Sequence, residues 1–355
     1  YKIGEVCMYK YPIALTQQFK FCGNPFRIDT YKGCNFGCKY CYANSRNGNY
    51  SSDFDVADFN IIEKLFYKAF DTQKAYKDIN IELLRHKVPL HLGGMSDPFQ
   101  DREWEYGLTY KFLQLTNKYN YPVMISTKCA NLPEKYWNIL NPNIHAFQIS
   151  LIGFNDNFIK VHEINTPTAT KRIEFIKLLH NKEFWVGLRI QPLIDIYEAI
   201  SLIKNVEDYI NYITIEHLKI PKDNKTVFDT YNKILNVKEN YYDYGRRNYE
   251  LKKEIKEKNV QQIKNITKIP VGVGDNDLHK LTDTRCCCGI DTINENFNNW
   301  MKYNETYFVT GNYYKDGIWY PKSNCRNCLN SNMRVSDKFK TVKDYVDYYM
   351  QKINT

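Results

Sequence analysis

Three cysteines on one short loop constrain this chain more than any other feature. Cys34, Cys38 and Cys41 stand in the run Gly33-Cys34-Asn35-Phe36-Gly37-Cys38-Lys39-Tyr40-Cys41-Tyr42, with the spacing C-x3-C-x2-C. The run follows directly on a strand-like stretch, Arg27-Ile28-Asp29-Thr30-Tyr31. Three thiolates so spaced suit three irons of a cubane [4Fe–4S] cluster and leave the fourth iron without a protein ligand, open to a substrate or cofactor. Gly33 and Gly37 allow the loop to turn back so that the sulfurs point inward. Zinc is the alternative, but it takes four ligands in C-x2-4-C pairs, and no fourth cysteine is local; the nearest is Cys22.

The chain has 355 residues, enough for one large α/β domain with an appendage or for two domains. Charged residues make up 25%, hydrophobic ones 43%, and no apolar run reaches the length of a membrane span. No basic-plus-apolar signal opens the sequence, so its 11 cysteines point to metal ligation rather than disulfides, and a reducing cytoplasm is the expected compartment. The net charge of +9 suits a polyanion such as DNA or RNA. A bland source for that charge is AT-rich coding sequence, which yields Lys, Asn, Ile and Tyr in quantity.

Short apolar runs alternate with amphipathic ones. Helices are expected over 58–73, 103–120, 134–140, 168–181 and 197–206, and strands over 89–92, 122–126, 145–151, 184–190 and 209–216. Strand-helix alternation with right-handed crossovers gives a parallel sheet. In such sheets the active site lies at the carboxyl ends of the strands. That rule selects Cys34 to Cys41, Gly93 to Phe99, Thr127 to Asn131, Ser150 to Phe154, Arg189 to Pro192, and Glu216 with His217. Farther on, 226–247 reads as an aromatic helix, 249–268 as a Lys/Glu-rich helix with a solvated face, 269–274 as one more strand and 341–352 as a terminal helix. The resulting organisation is an N-terminal extension (1–25), a core (26–220) and a C-terminal helical and cysteine-rich region (221–355).

The cysteine spacing, with the aromatic Tyr40 just before the third cysteine, resembles the signature of the radical S-adenosylmethionine (radical SAM) superfamily. Several runs are similar to its spore photoproduct lyase-like branch. These are Gly93-Gly94-Met95-Ser96-Asp97-Pro98-Phe99-Gln100, then Ile125-Ser126-Thr127-Lys128, Ser150-Leu151, Glu163 with Pro167, and Gly187-Leu188-Arg189-Ile190-Gln191-Pro192. The resemblance implies an α/β fold, an incomplete (β/α)6 TIM-like barrel with a cysteine-rich C-terminal extension. It implies a [4Fe–4S] cluster whose open iron chelates S-adenosylmethionine (SAM), and reductive cleavage of SAM to a 5′-deoxyadenosyl radical. It also implies an electron donor such as flavodoxin or ferredoxin.

Candidate cofactor-binding residues are Tyr40, Gly93, Gly94, Ser150 and Arg189. The carbonyls of the Gly93-Gly94 pair suit the SAM ammonium, and the pair would let the backbone approach a ligand; a tight turn is the plain reading. Other radical SAM enzymes carry a Glu after this pair, where this chain has Met95. The Ser150 hydroxyl suits ribose or carboxylate. Arg189 suits the SAM carboxylate, or an internal ion pair with Glu163 or Glu216. Asp97, before a proline, is either functional or a turn former. Cys129, expected on the site's rim, is either a hydrogen-atom donor, as a cysteine is in related lyases, or a small buried residue.

A second group is Cys286-Cys287-Cys288-Gly289 with Cys325-Arg326-Asn327-Cys328. In extended chain Cys286 and Cys288 share a face, and with Cys325 and Cys328 they make four thiolates for a second [4Fe–4S] cluster or a zinc ion. The tail holds too few cysteines for a complete SPASM-type extension. Asp275, Asp277 and His279 either face the substrate or turn the chain. Three functions remain open: a radical SAM enzyme acting on a nucleic-acid base or nucleotide, one acting on a peptide or small metabolite, and a non-catalytic iron–sulfur or zinc nucleic-acid-binding protein.

Overall fold

The computed structural model of this chain describes residues 2–3, 6–15, 23–45, 54–74, 76, 78–235, 237–243, 248–275 and 277–298. Its centre is a sheet of seven parallel strands. In chain order these are β1 (Phe26–Ile28), β2 (Leu90–Leu92), β3 (Val123–Thr127), β4 (His145–Ser150), β5 (Val186–Leu193), β6 (Tyr212–His217) and β7 (Val271–Val273). Their order in the sheet is their order in the chain, with Ile13–Leu15 added antiparallel at the β1 edge. Sequential order with right-handed crossovers places every connecting helix on one face and leaves the other face to the loops. This is the incomplete-barrel class expected, with seven parallel strands in place of six; β7 pairs with β6 through Ile213↔Val271 and Ile215↔Val273.

The two faces follow from side-chain alternation. Val123, Ile125, Phe147, Ile149, Leu188, Ile190, Ile213 and Ile215 belong to the main core under the helices. The alternate residues fill the inner face. Met124, Ala146 and Tyr212 lie toward its amino end, with Trp185 beside them. His91, Ser126, Gln148 and Arg189 form a polar layer above. The helices start where the sequence offers caps: the side chains of Asp58, Thr168 and Asp195 accept from the first-turn N–H groups.

Several expectations change. The helix expected over 103–120 is two helices, Asp101–Tyr106 and Leu108–Tyr119, broken at Gly107 with φ +64°. The break lets the buried Glu103 carboxylate accept the Thr109 and Tyr110 N–H groups at 2.9 and 2.8 Å, capping the second helix with the first. The long helix expected over 226–247 ends at Leu235, with a turn at Val237–Asn240. Tyr241–Asp243 and Asn248–Leu251 pair antiparallel, and the latter pairs with Lys219–Pro221. Aromatic residues favour a pleated, half-buried surface, and here Tyr241 packs on Ile220, Tyr231 and Val237. The Lys/Glu-rich helix Lys253–Ile266 is not wholly solvated, because Lys256 is 1% exposed and bonds Asp277 at 2.7 and 2.8 Å. Asp275 pairs with His217 at 2.7 Å. These two aspartates thus tie that helix to the ends of β6 and β7 instead of facing a substrate. The terminal helix over 341–352 lies outside the described residues.

Candidate active site

The cysteine loop leaves β1 and is held from four directions by bonds to its own backbone. The Gln100 amide donates to the Gly33 carbonyl at 3.0 Å and accepts from the Asn35 N–H at 3.2 Å. The Asn35 amide donates to Asp101 at 2.9 Å. The Asn165 side chain donates to the Asn35 carbonyl at 2.8 Å, and its N–H to the Phe36 carbonyl at 3.0 Å. The Lys39 N–H reaches the His162 carbonyl at 2.9 Å, and Cys38 forms a β-bridge with Glu163. Gly33 and Gly37 take φ +83° and +63°, as a loop folding back requires.

The three thiols lie within electrostatic reach of one another. Burial pushes the Cys34 thiol to about 11 and the Cys38 thiol to about 12. The N–H groups of Phe36 and Asp97 bond Cys34 and work against the shift, as does Lys128 beside Cys38. Bare thiolates would be unfavourable here, whereas thiolates bonded to a cationic group would not. Among the described residues no three His, Cys, Asp or Glu side chains converge on one point for a single ion. A cubane takes one sulfur per iron, so its ligands need no such point. The donor set thus fits a cluster.

Under the loop sits a buried ionic framework. Arg172 and Glu163 are both fully buried and pair at 2.6 Å. Arg172 also donates to the Ser150 carbonyl at 2.8 Å, and Glu163 accepts from Thr166 at 3.0 Å and from the Tyr40 hydroxyl. Burial alone would raise the Glu163 carboxyl, but Arg172 and Lys128 hold it below its usual value. Burial opposes the Lys128 charge, yet Cys38 and Glu163 hold its pKa above normal. Sequence reasoning left Lys128, Arg172, Asp29 and Gln100 without a role. Only their places next to strand ends or the cysteine run could have singled them out.

The expected residues gather at the carboxyl ends of β1 to β5, with different tasks. Gly93 takes φ +91°, and a Cβ there would stand 2.2 Å from the Ser126 carbonyl oxygen. It is therefore a close-approach residue between strands. Gly94 has only ordinary contacts around it, and its carbonyl accepts from the Tyr42 hydroxyl. The Asp29 carboxylate accepts the Met95 N–H at 2.8 Å and anchors this turn. Asp97 accepts from the Phe99 N–H at 3.0 Å, the Thr127 hydroxyl at 2.7 Å and the Lys128 N–H at 2.7 Å, so it is a brace joining two strand ends.

Ser150 is aligned with Arg189 across β4 and β5, and its hydroxyl makes no hydrogen bond among the described residues. Arg189 bonds Gln191 and the Ser126 hydroxyl, the latter at 3.3 Å. The ion pair that would have occupied it does not form: Glu163 is taken by Arg172 and Glu216 by Lys219. Its guanidinium has neutral partners here and keeps capacity for a carboxylate. Cys129 is corrected from rim to core. It is 5% exposed, its thiol donates to the Asn131 carbonyl at 2.8 Å, and burial pushes it to about 12.

The family model described as the radical SAM superfamily matches residues 28–203, the segment that carries the cysteine loop and the ends of β1 to β5. The chain belongs to the radical SAM superfamily. The superfamily implies a [4Fe–4S] cluster and SAM. Its fold is similar to solved structures of spore photoproduct lyase. One, complexed with dinucleoside spore photoproduct, is 14% identical with a TM-score of 0.50 and covers 68% of this chain and 73% of its own. A mutant of that lyase with bound AdoMet and dinucleoside spore photoproduct is 13% identical with a TM-score of 0.50, covering 71% and 76%. At such identity the likeness is one of fold. No curated protein matches the sequence. No helix among the described residues is long and apolar enough to cross a membrane.

Proposed function

We propose that this radical SAM enzyme acts on a nucleic-acid base or nucleotide, with SAM held between the cysteine loop and the ends of β2, β4 and β5. When bound, the cluster and SAM supply a 5′-deoxyadenosyl radical. The chain's own residues bind and orient. Cys34, Cys38 and Cys41 take three irons. The Arg189 guanidinium bonds the SAM carboxylate in a charge-assisted pair. The Gly94 carbonyl accepts from the SAM ammonium in place of the Tyr42 hydroxyl, and the Ser150 hydroxyl serves ribose or carboxylate. The observation that carries this reading is Arg189, a cation on the inner face with no carboxylate partner among the described residues, aligned with Ser150 on the side of the sheet that bears the cysteine loop.

Three features support a nucleobase substrate. The net charge is +9. Exposed aromatics stand on segments that follow strand ends: Tyr42 after β1, Phe154 after β4 and Tyr197 after β5 are 48%, 41% and 74% exposed. Bases stack on such rings with little regard to sequence. Two lyase structures of like fold hold dinucleoside spore photoproduct. The reading includes a flavodoxin or ferredoxin as electron donor. It also includes a second metal centre, [4Fe–4S] or zinc, from Cys286 and Cys288 with Cys325 and Cys328; the last two lie outside the described residues.

Binding of single- and double-stranded oligonucleotides, measured with SAM present between low and physiological salt, tests the substrate class. Affinity is expected to fall steeply with salt, since each neutralised phosphate releases counterions. No binding at low salt would overturn the nucleic-acid reading in favour of a peptide or small metabolite.

A further inference from the structure

We propose that the turn Cys286-Cys287-Cys288-Gly289 is a thiolate metal site at the amino end of the inner face, with the Cys286 and Cys288 sulfurs as two of its ligands. The inference rests on the reading of a second metal centre and deepens it by placing that centre in the fold. The segment is not extended. The Gly289 N–H bonds the Cys286 carbonyl at 3.0 Å, and Gly289 takes φ +68°. This tight turn brings the Cys286 and Cys288 sulfurs to 3.1 Å. Two thiolates on one tetrahedral metal with bonds of about 2.3 Å stand about 3.8 Å apart. A disulfide needs about 2.05 Å. The observed separation is nearer the first, and a small side-chain rotation reaches it.

The surroundings suit a thiolate. The side chains of Cys287 and Cys288 and the N–H groups of Cys288 and Gly23 all bond the sulfur of Cys286, a residue 2% exposed. Hydrogen bonds to sulfur stabilise the charged form that a metal requires. The turn is also seated in a fitted place. A Cβ at Gly272 would stand 2.2 Å from the Cys287 carbonyl oxygen, and one at Gly289 would stand 2.4 Å from the Tyr212 ring. The Tyr212 hydroxyl donates to the Cys286 carbonyl at 2.9 Å, and the Gln148 amide to the Cys288 carbonyl at 3.0 Å. Met124, Ala146, Trp185, Ile290 and Phe297 pack around Cys286. Apolar side chains alone would close this end as well, so the thiols need another reason. The site is distinct from the first cluster. Five residues of β3 at about 3.3 Å each separate the two ends by roughly 15 Å.

Iron and zinc should be measured on protein purified without oxygen, first in a variant carrying Cys34→Ala, Cys38→Ala and Cys41→Ala. That background removes the first cluster, so its loss of SAM cleavage is scored separately from the metal that remains. We expect zinc or iron to remain in it, to fall to background when Cys286→Ser and Cys288→Ser are added, and to survive Cys287→Ser. Zinc alone would mark a structural ion, and iron with acid-labile sulfide a cluster; both uphold the site. The Cys286→Ser/Cys288→Ser protein with its first cysteines intact should still take up iron, which shows that it folds. A metal-free triple variant, after addition of zinc or of iron with sulfide, would overturn the proposal. So would metal that persists without Cys286 and Cys288, or a Cys286–Cys288 disulfide found by mass spectrometry in the anaerobic protein.

Discussion

The two ends of the inner face carry cysteines in opposite settings. At the carboxyl end, the Cys34–Cys41 loop is only partly buried, and it is fixed by polar side chains that bond its backbone: Gln100, Asn165 and, through Tyr40, the Glu163–Arg172 pair. At the amino end, the Cys286 turn is fixed mainly by packing against Tyr212, Trp185 and Met124. A loop that must present sulfurs to a cofactor cannot be covered by apolar groups, so its rigidity comes from hydrogen bonds beneath it. A turn that closes one end of the sheet can take its rigidity from burial. The contrast is between a loop held open by hydrogen bonds and a turn held by burial.

The largest expected effect lies in that polar framework. Arg172→Met strands the buried Glu163 charge and should lower stability by about 3–5 kcal/mol, as breaking one partner of a buried pair does. Urea unfolding of the metal-free protein measures it, and adding Glu163→Gln should recover part of the loss. A cost below about 1 kcal/mol would mean that the first end is not held by this pair. Next is Gly93→Ala, which forces a side chain into positive φ and against the Ser126 carbonyl, a cost of about 3 kcal/mol. Gly94→Ala should be near neutral for stability by the same assay. Equal effects would erase the difference drawn between the two glycines.

Arg189→Met should weaken SAM binding roughly tenfold to a hundredfold, the range of a lost charged hydrogen bond. Its Tm should hold, because Arg189 supports no ion pair. Equilibrium dialysis with labelled SAM separates the two; lost Tm with intact SAM binding would make Arg189 a structural residue. The smallest effect near neutral pH concerns His145, fully buried near the amino end, where burial lowers its pKa to about 3. The folded state keeps this imidazole neutral while the unfolded chain takes up a proton below about pH 6.5. Stability should therefore fall as pH drops from about 6.5, by ~1.4 kcal/mol per pH unit for this group, and the fall continues toward pH 3. His145→Gln should flatten that slope; an unchanged slope would mean the ring titrates normally in the fold.

Much of this was legible in the sequence because it is local. The C-x3-C-x2-C spacing sets the loop, and short apolar runs such as Pro122 to Ser126 mark the strands. What was hidden depends on contacts distant in sequence. Gly107 interrupts a good helical pattern because Glu103 caps the following helix and meets Tyr31 and Tyr136. The Lys256 stripe looked solvated until Asp275 and Asp277 came beneath it. The close approach of Gly93 to the Ser126 carbonyl was hidden because only the neighbouring strand shows it. The Cys286 and Cys288 sulfurs lie 3.1 Å apart because the chain turns there, not because alternate residues of an extended chain share a face.

The most direct test of the central claim is 5′-deoxyadenosine formation by the reconstituted protein, with SAM and dithionite under anaerobic conditions. The native sequence should produce it. The variant with Cys34, Cys38 and Cys41 all replaced by Ala should produce none while its circular dichroism stays that of a folded α/β protein. Product from the triple variant, or none from a native protein that carries its cluster, would contradict the assignment of the reaction to this loop.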